Sequence, residues 1–411
     1  MLSKKFKKVD SKLTGRIFGI LTIPSKKLDK ELGYAMNRSQ DEQIIIETIQ
    51  KADPNNITFR SVEALENSYQ ETKSFKNIKA TDVSFKIVTQ IDHSSIIKKA
   101  TYYINQVQDI LQNLVFEVKK NGEQTTFQHI NKLLFFIQNL RKELDLEEDN
   151  RLKELFQSKI HPFTCQSDFC DYAHKKPRGY PGDFLMMEKI WNGRQNPKTH
   201  RYLGHTEMGK LINAFTLDID ICQANILRTK TFEKYISNPI YKRIASIGSG
   251  SVIEIDEMGK KGLIFDQEFH LFDQDEGALE FAQKKISQYT NKVFCYPGNI
   301  IKSILKISPS KFHCIYSSGL FDYFSENTSK QLAEKLWSSL APNGEFYISN
   351  VHTDNPSKLW MEYIGDWYLI NKTSTQMINI LKNTEVNPYL SFDIDEHSSY
   401  QFISSQKMNY V

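Results

Sequence analysis

The chain has 411 residues, of which 40% are hydrophobic, 12% aromatic and 25% charged, and its net charge is +4. These proportions exclude collagen-like, coiled-coil and wholly disordered classes, and the length suits two or three domains. So small a charge gives no whole-chain reason to expect nucleic-acid binding, and no apolar run of about 18 residues is present to span a membrane.

Four of the first eight residues are lysine and a short apolar run follows at 17–23. That order resembles a signal peptide, but Pro24-Ser25-Lys26-Lys27 stands where a small-residue cleavage site would be, so a cytoplasmic chain is expected. Residues 1–90 are polar, Lys-rich and of no assignable fold. Within them the spacing predicts a helix over 40–51 and a strand over 82–91. Their lysines suit a solvated face, with peripheral contact to a membrane or partner as the alternative.

Residues 91–205 read as a helical domain. Ile96, Ile97, Ala100, Ile104, Val107, Leu111 and Leu114 recur at helical steps. After Asn121-Gly122 a second such run carries Phe127, Ile130, Leu134 and Ile137. The five cysteines (165, 170, 222, 295, 314) are an odd number with one close pair, which reads as free thiols in a reducing compartment.

Lys176-Pro-Arg-Gly-Tyr-Pro-Gly-Asp183 is a fixed, non-helical loop, because its prolines and glycines exclude a helix. Such a loop can line a pocket, with Arg178 gripping a carboxylate, Tyr180 offering a hydroxyl and Asp183 beside them. The alternative is a structural loop in which Arg178 and Asp183 pair with each other or with backbone.

Residues 206–411 alternate apolar strands with helices, the pattern of a mainly parallel sheet. A strand ending at Ile247 runs into Gly248-Ser249-Gly250, where glycine lets backbone approach a ligand. The next strand ends in Asp273-Gln274-Asp275. Asp273 is placed to bind ribose hydroxyls, and Asp275 to cap the helix that follows. Ile253 replaces the third glycine of a dinucleotide fingerprint, so a nucleoside ligand without diphosphate fits better. Further strands are expected over 292–296, 312–317 and 345–351, with a helix over 328–340 that ends in a Pro342-Asn343-Gly344 turn. An aromatic helix with Trp360, Tyr363, Trp367 and Tyr368 suits either a lid over the ligand crevice or core packing. The tail, from 389, reads as a β-hairpin. His174, His205, His313 and His352 have no metal-ligand partner at a recognisable spacing, so no metal is expected. His352 lies where an acceptor-activating base can sit.

These residues together resemble a class I S-adenosylmethionine-dependent methyltransferase. Gly248-Ser249-Gly250 is similar to the glycine motif, Asp273 to the ribose-binding acid, and Gly298-Asn299 to the adenine-flanking pair. Ser246 departs from the family, which has an acid there. That departure, with Glu254, Tyr316-Ser-Ser-Gly-Leu-Phe-Asp-Tyr323, Met361-Glu-Tyr-Ile-Gly-Asp-Trp367 and the 176–183 loop, resembles the bacterial family that makes the extracellular factor 3-hydroxypalmitic acid methyl ester. The resemblance covers about residues 150–405. It implies an α/β Rossmann-like domain with a seven-stranded sheet and a C-terminal hairpin over 206–411. It implies S-adenosylmethionine held by Ser246, Gly248, Ser249, Gly250, Glu254, Asp273, Gln274, Gly298, Asn299, Ser317, Ser318, Gly319 and Leu320. The acceptor, a small molecule, falls to Arg178, Tyr180, Asp183, Tyr363 and Trp367.

The expected reaction is methyl transfer to a fatty-acid-like carboxylate, giving a methyl ester that serves quorum sensing. A carboxylate is ionised at neutral pH and needs no base. A hydroxyl or amine acceptor, as in secondary metabolism, would need one, and His352, Asp322 and Tyr323 are the candidates. A third reading is a non-catalytic protein that binds adenosine ligands or docks through residues 1–90.

Overall fold

The structure, a computed structural model, describes residues 93–196, 198, 200–299, 302, 303, 311–382 and 390–407. The basic N-terminus, the helix expected over 40–51, the strand expected over 82–91 and Tyr389 lie outside these residues. Ile96–Val411 form one compact unit.

Helices α1 (His93–Gln112), α2 (Leu114–Asn121) and α3 (Glu123–Arg141) follow the expected periodicity. Ile104, Val107, Leu111, Leu114, Ile130 and Ile137 are fully buried in one apolar cluster. Gly122, at φ 84°, turns the chain between α2 and α3 in a backbone region that side chains disfavour. α4 (Leu146–Thr164) opens with a capping box in which Asp145 and Glu148 each accept from the other's backbone N–H. α5 (Asp168–Lys175), α6 (Phe184–Gln195), α7 (Glu207–Asp218) and α8 (Asp220–Ile236) lead to the sheet. Among the described residues no helix is long and apolar enough to cross a membrane.

The seven strands are β1 (Arg243–Ile247), β2 (Glu268–Asp273), β3 (Val293–Pro297), β4 (Phe312–Ser317), β5 (Leu340–Val351), β6 (Leu390–Ile394) and β7 (Tyr400–Gln406). Their order is β3-β2-β1-β4-β5-β7-β6; β1 to β5 pair in parallel and β7 runs antiparallel to both neighbours. This is the α/β, mainly parallel sheet with a terminal hairpin that the sequence predicts. Alternate strand residues serve two cores. Ile244, Leu271, Cys314, Tyr316 and Phe402 join the cluster of α8, α9 (Ile253–Lys260) and α10 (Glu276–Ile286). Ala245, Phe272, Ile315 and Ile403 join that of α11 (Glu326–Ser338) and α13 (Ser374–Lys382). Both faces are covered, as parallel strands require.

Two elements differ from expectation. Pro342-Asn343-Gly344 does not precede the fifth strand but forms a bulge inside it, and the pairing with β4 shifts there. Asn343, at φ 60°, donates its N–H to the Lys407 carbonyl, and Gly344 accepts from the Lys407 N–H, so β7 holds the bulge in the sheet. The aromatic helix α12 (Lys358–Gly365) ends at Asp366 in the left-handed region, so Trp367 and Tyr368 lie beyond it.

Candidate active site

The strand order reverses between β1 and β4, and a pocket of about 1150 Å³ opens at the carboxyl ends of these strands. Open parallel sheets bind ligands at this crevice, and the volume exceeds the roughly 300–1,000 Å³ that holds one small ligand.

The glycine loop forms its floor. Gly248 and Gly250 have φ of 67° and 54°, where Cβ atoms are disfavoured, and a Cβ on Gly248 would lie 3.0 Å from that of Leu320. Gly248 and Ser249 donate to the Phe272 carbonyl, at 2.8 and 3.1 Å. Val252 adopts φ 46° before α9, a strained conformation for a β-branched residue of the kind stored at ligand sites. Asp273 ends β2 with one oxygen accepting from Gly250 N–H (2.8 Å) and the other from Asp275 N–H (2.9 Å). The carboxylate keeps accepting capacity for a ligand beyond these backbone bonds. Burial raises the Asp273 carboxyl above its ordinary range, against these hydrogen bonds.

Ser246 and Glu254 are linked through Tyr316, which the sequence reading did not single out as a separate site residue. Ser246 is buried in β1 and does not line the pocket, whereas Glu254 does. The Tyr316 hydroxyl donates to Glu254 at 2.5 Å, and burial raises the Glu254 carboxyl. A carboxylate thus reaches this side of the glycine loop from α9 instead of from β1. After β4, Ser318, Gly319 and Leu320 line the pocket, and so does Gln274 after β2. Ser317 does not; its hydroxyl donates to the Ile247 carbonyl and ties β4 to β1 (2.8 Å).

The 176–183 loop reaches the pocket through Pro177, Arg178, Gly179, Tyr180 and Gly182. Arg178 pairs with neither Asp183 nor backbone. Its fork is held by Asp275, with Nε 2.8 Å from Oδ2, and it stacks 4.9 Å over Phe184. The group expected to grip a substrate carboxylate is therefore already engaged. Asp275 also caps α10, as expected, and Arg178 holds its carboxyl below the usual range. Asp183 is fully buried and does not line the pocket; it caps α6 and accepts from the Tyr172 hydroxyl (2.8 Å).

Tyr180 and Tyr323 meet edge to face at 6.5 Å, and Trp367 completes this wall. The protein packed around the Tyr323 hydroxyl pushes it up to about 12. A Cβ on Gly182 would lie 2.6 Å from both the Tyr323 hydroxyl and Trp367. Gly182→Ala is therefore expected to destabilise the protein by about 1–3 kcal/mol, read as a lower denaturant midpoint.

Several expected site residues lie elsewhere. Tyr363 is fully buried among the helices, where its hydroxyl donates to Asp149 at 2.6 Å and its ring packs on Phe156. α12 is buried along that face, and of the four aromatics only Trp367 lines the pocket. His352 does not line the pocket; its Nδ1 accepts from Asp354 N–H and its Nε2 lies 3.3 Å from the Ser374 hydroxyl. Gly298 and Asn299 are exposed and outside the lining, one strand further out; Asn299 instead accepts from Lys302 N–H.

Of the base candidates, Asp322 and Tyr323 line the pocket. Asp322 is buried, accepts from Val351 N–H at 2.7 Å, and is pushed up to about 6 by burial. Arg228, Asn225 and Thr229 on α8, Met187 on α6 and Tyr400 on β7 also line it. No local motif marks them; they read as ordinary helix and strand residues.

Solved structures of similar architecture are distant. A Bordetella parapertussis protein described as a possible exported protein is 13% identical, covering 78% of this chain and 100% of its own, at a TM-score of 0.46. The S-adenosylmethionine-dependent methyltransferase SibL is 12% identical, covering 78% and 100%, at 0.42. The CurJ carbon methyltransferase is 14% identical, covering 84% and 98%, at 0.41. No protein-family model and no curated protein matches the chain significantly.

Proposed function

We propose that the protein is an S-adenosylmethionine-dependent methyltransferase of a small molecule. The observation that carries this reading is Asp273, which ends β2 beside two positive-φ glycines in a pocket large enough for a nucleoside cofactor and an acceptor. S-adenosylmethionine, when bound, supplies an electrophilic methyl group on its sulfonium. Asp273 would accept hydrogen bonds from the ribose hydroxyls. Gly248, Ser249 and Gly250 leave room for the cofactor, with Gln274, Ser318, Gly319 and Leu320 around it. Glu254 and Asp322 place negative charge opposite its positive charge. The wall of Tyr180, Tyr323 and Trp367 excludes water and aligns the acceptor.

The finer reading is methylation of a fatty-acid-like carboxylate to a methyl ester, with quorum sensing as its use. It rests on the sequence resemblance and on the apolar lining of Leu320, Phe324 and Leu369. A second reading, a hydroxyl or amine acceptor, is favoured by Asp322, a buried carboxyl near 6 within the pocket. If Asp322 is the base, kcat/KM rises with pH through about 6, and Asp322→Asn removes that limb with about a 100-fold loss in kcat. A carboxylate acceptor predicts a flat profile there.

Calorimetric titration tests the cofactor class. S-adenosylmethionine and S-adenosylhomocysteine are expected to bind and NAD not to. Absence of binding by both adenosyl ligands overturns the reading.

A further inference from the structure

We propose that the guanidinium of Arg228 is a carboxylate subsite of this pocket. Arg228 lies on α8 and is 7% exposed. With Asn225 and Thr229 it forms the α8 face that lines the cavity. Yet it has no oxygen acceptor within hydrogen-bond distance among the described residues. Its nearest carboxylate oxygen, Oδ2 of Asp322, is 3.9 Å from Nη1. Nη2 lies 3.6 Å from the Met187 sulfur, a weak acceptor, and Nε has no partner. The Tyr400 ring supports the group from below at 4.5 Å. Arg178 and Arg201, by contrast, both bind carboxylates through their forks.

A buried cation whose donors are unmatched is costly unless a ligand supplies the acceptors. Gly319 lets the guanidinium pack against the turn after β4, since a Cβ there would lie 3.1 Å from Nη1, and the space for a ligand is the cavity that both residues line. A planar fork matches the two oxygens of a carboxylate. Asp322 from the turn after β4 and Glu254 from α9 also line this cavity. Their charge disfavours a doubly charged phosphate and leaves a single carboxylate as the matching ligand. Two sources share that chemistry: the aminoacyl end of the adenosyl cofactor, and an acid group on the acceptor. Both rest on the function proposed above, but binding of a free carboxylic acid at Arg228 can be read without the cofactor and so independently of it.

Titration calorimetry of the full chain separates them. S-adenosylhomocysteine and methylthioadenosine differ by the aminoacyl end. Decanoate and decanol, added with saturating methylthioadenosine and again without it, differ by the acid. If the cofactor supplies the carboxylate, the wild type prefers S-adenosylhomocysteine by about 10-fold or more, and Arg228→Gln abolishes the preference. If the acceptor supplies it, the preference for decanoate is the one lost. Either result supports the subsite.

The proposal is overturned if neither pair is discriminated by the wild type, or if Arg228→Gln leaves both preferences intact. Should the Gln variant fail to fold in a thermal melt, Arg228→Lys keeps the charge without the fork. It is expected to narrow the gap, and an unchanged gap overturns the proposal. A wild type that binds neither adenosyl ligand sinks the methyltransferase reading alone, because decanoate against decanol still tests Arg228.

Discussion

Asp273→Ala is expected to weaken S-adenosylhomocysteine binding about 100-fold in calorimetric titration, because two charge-assisted hydrogen bonds to the ribose are lost at once. The loss has a second, structural part. The same carboxylate accepts from Gly250 and Asp275 N–H, so its removal costs the glycine loop one of its ties to the end of β2, the bonds to the Phe272 carbonyl remaining. Asp273→Asn separates the two parts. Its amide oxygen can keep one backbone bond, but its NH2 cannot accept, and the negative charge is gone. An Asn variant as stable as wild type but nearly as weak as Ala in binding assigns the effect to the ligand. Unchanged affinity in both removes Asp273 from the site.

Lys372→Met is expected to destabilise the fold by about 3–5 kcal/mol, measured by denaturant unfolding. Lys372 is 1% exposed. Its ammonium donates to the Phe321 carbonyl (2.8 Å), to Asn350 Oδ1 (2.7 Å) and to the Ile370 carbonyl (3.3 Å). It therefore joins the turn that carries Asp322 to the end of β5 and to the segment after α12. Methionine fills the same channel but leaves Asn350 Oδ1 without its donor, takes one donor from each of the two carbonyls, and removes a cation near Asp322. The pH dependence identifies the group. Burial lowers Lys372 from 10.5 to about 8 and raises Asp322 from 3.8 to about 6. Between about 4 and 6 the native chain holds the Asp322 proton that the unfolded chain has released, so this contribution to stability falls as pH rises. Between about 8 and 10.5 the unfolded chain holds the Lys372 proton that the native chain has lost, so stability rises with pH. In Lys372→Met the upper rise disappears while the lower fall remains. A rise that survives the substitution belongs to another group.

Local chemistry made much of the sheet domain legible. Strand β1 with its Gly248-Ser249-Gly250 loop, strand β2 with its terminal acid and capping Asp275, and the hairpin that closes the sheet each carry their signal within a few residues. The helical layer was legible for the same reason, since Ile104, Val107, Leu111 and Leu114 repeat at the period of the helix they form. The Pro342-Asn343-Gly344 segment misled because turn residues also make bulges, and only pairing with Lys407, just past β7, decides between the two. Tyr363 and His352 misled because position near the carboxyl edge of a sheet does not say which way a side chain turns.

What the sequence determined by itself was the order of strands and helices, the glycine loop and the acid at the end of β2. Periodicity and turn chemistry act between neighbours, so the chain states them locally. What the tertiary structure decided was the membership of the pocket. Arg178 is engaged by Asp275, 97 residues away, and Glu254 by Tyr316, 62 residues away. Arg228 is brought beside Asp322 and Tyr400 by the packing of α8 on the sheet. Those meetings depend on strand order and on which helix face the sheet covers, and neither is written in any short segment of the chain.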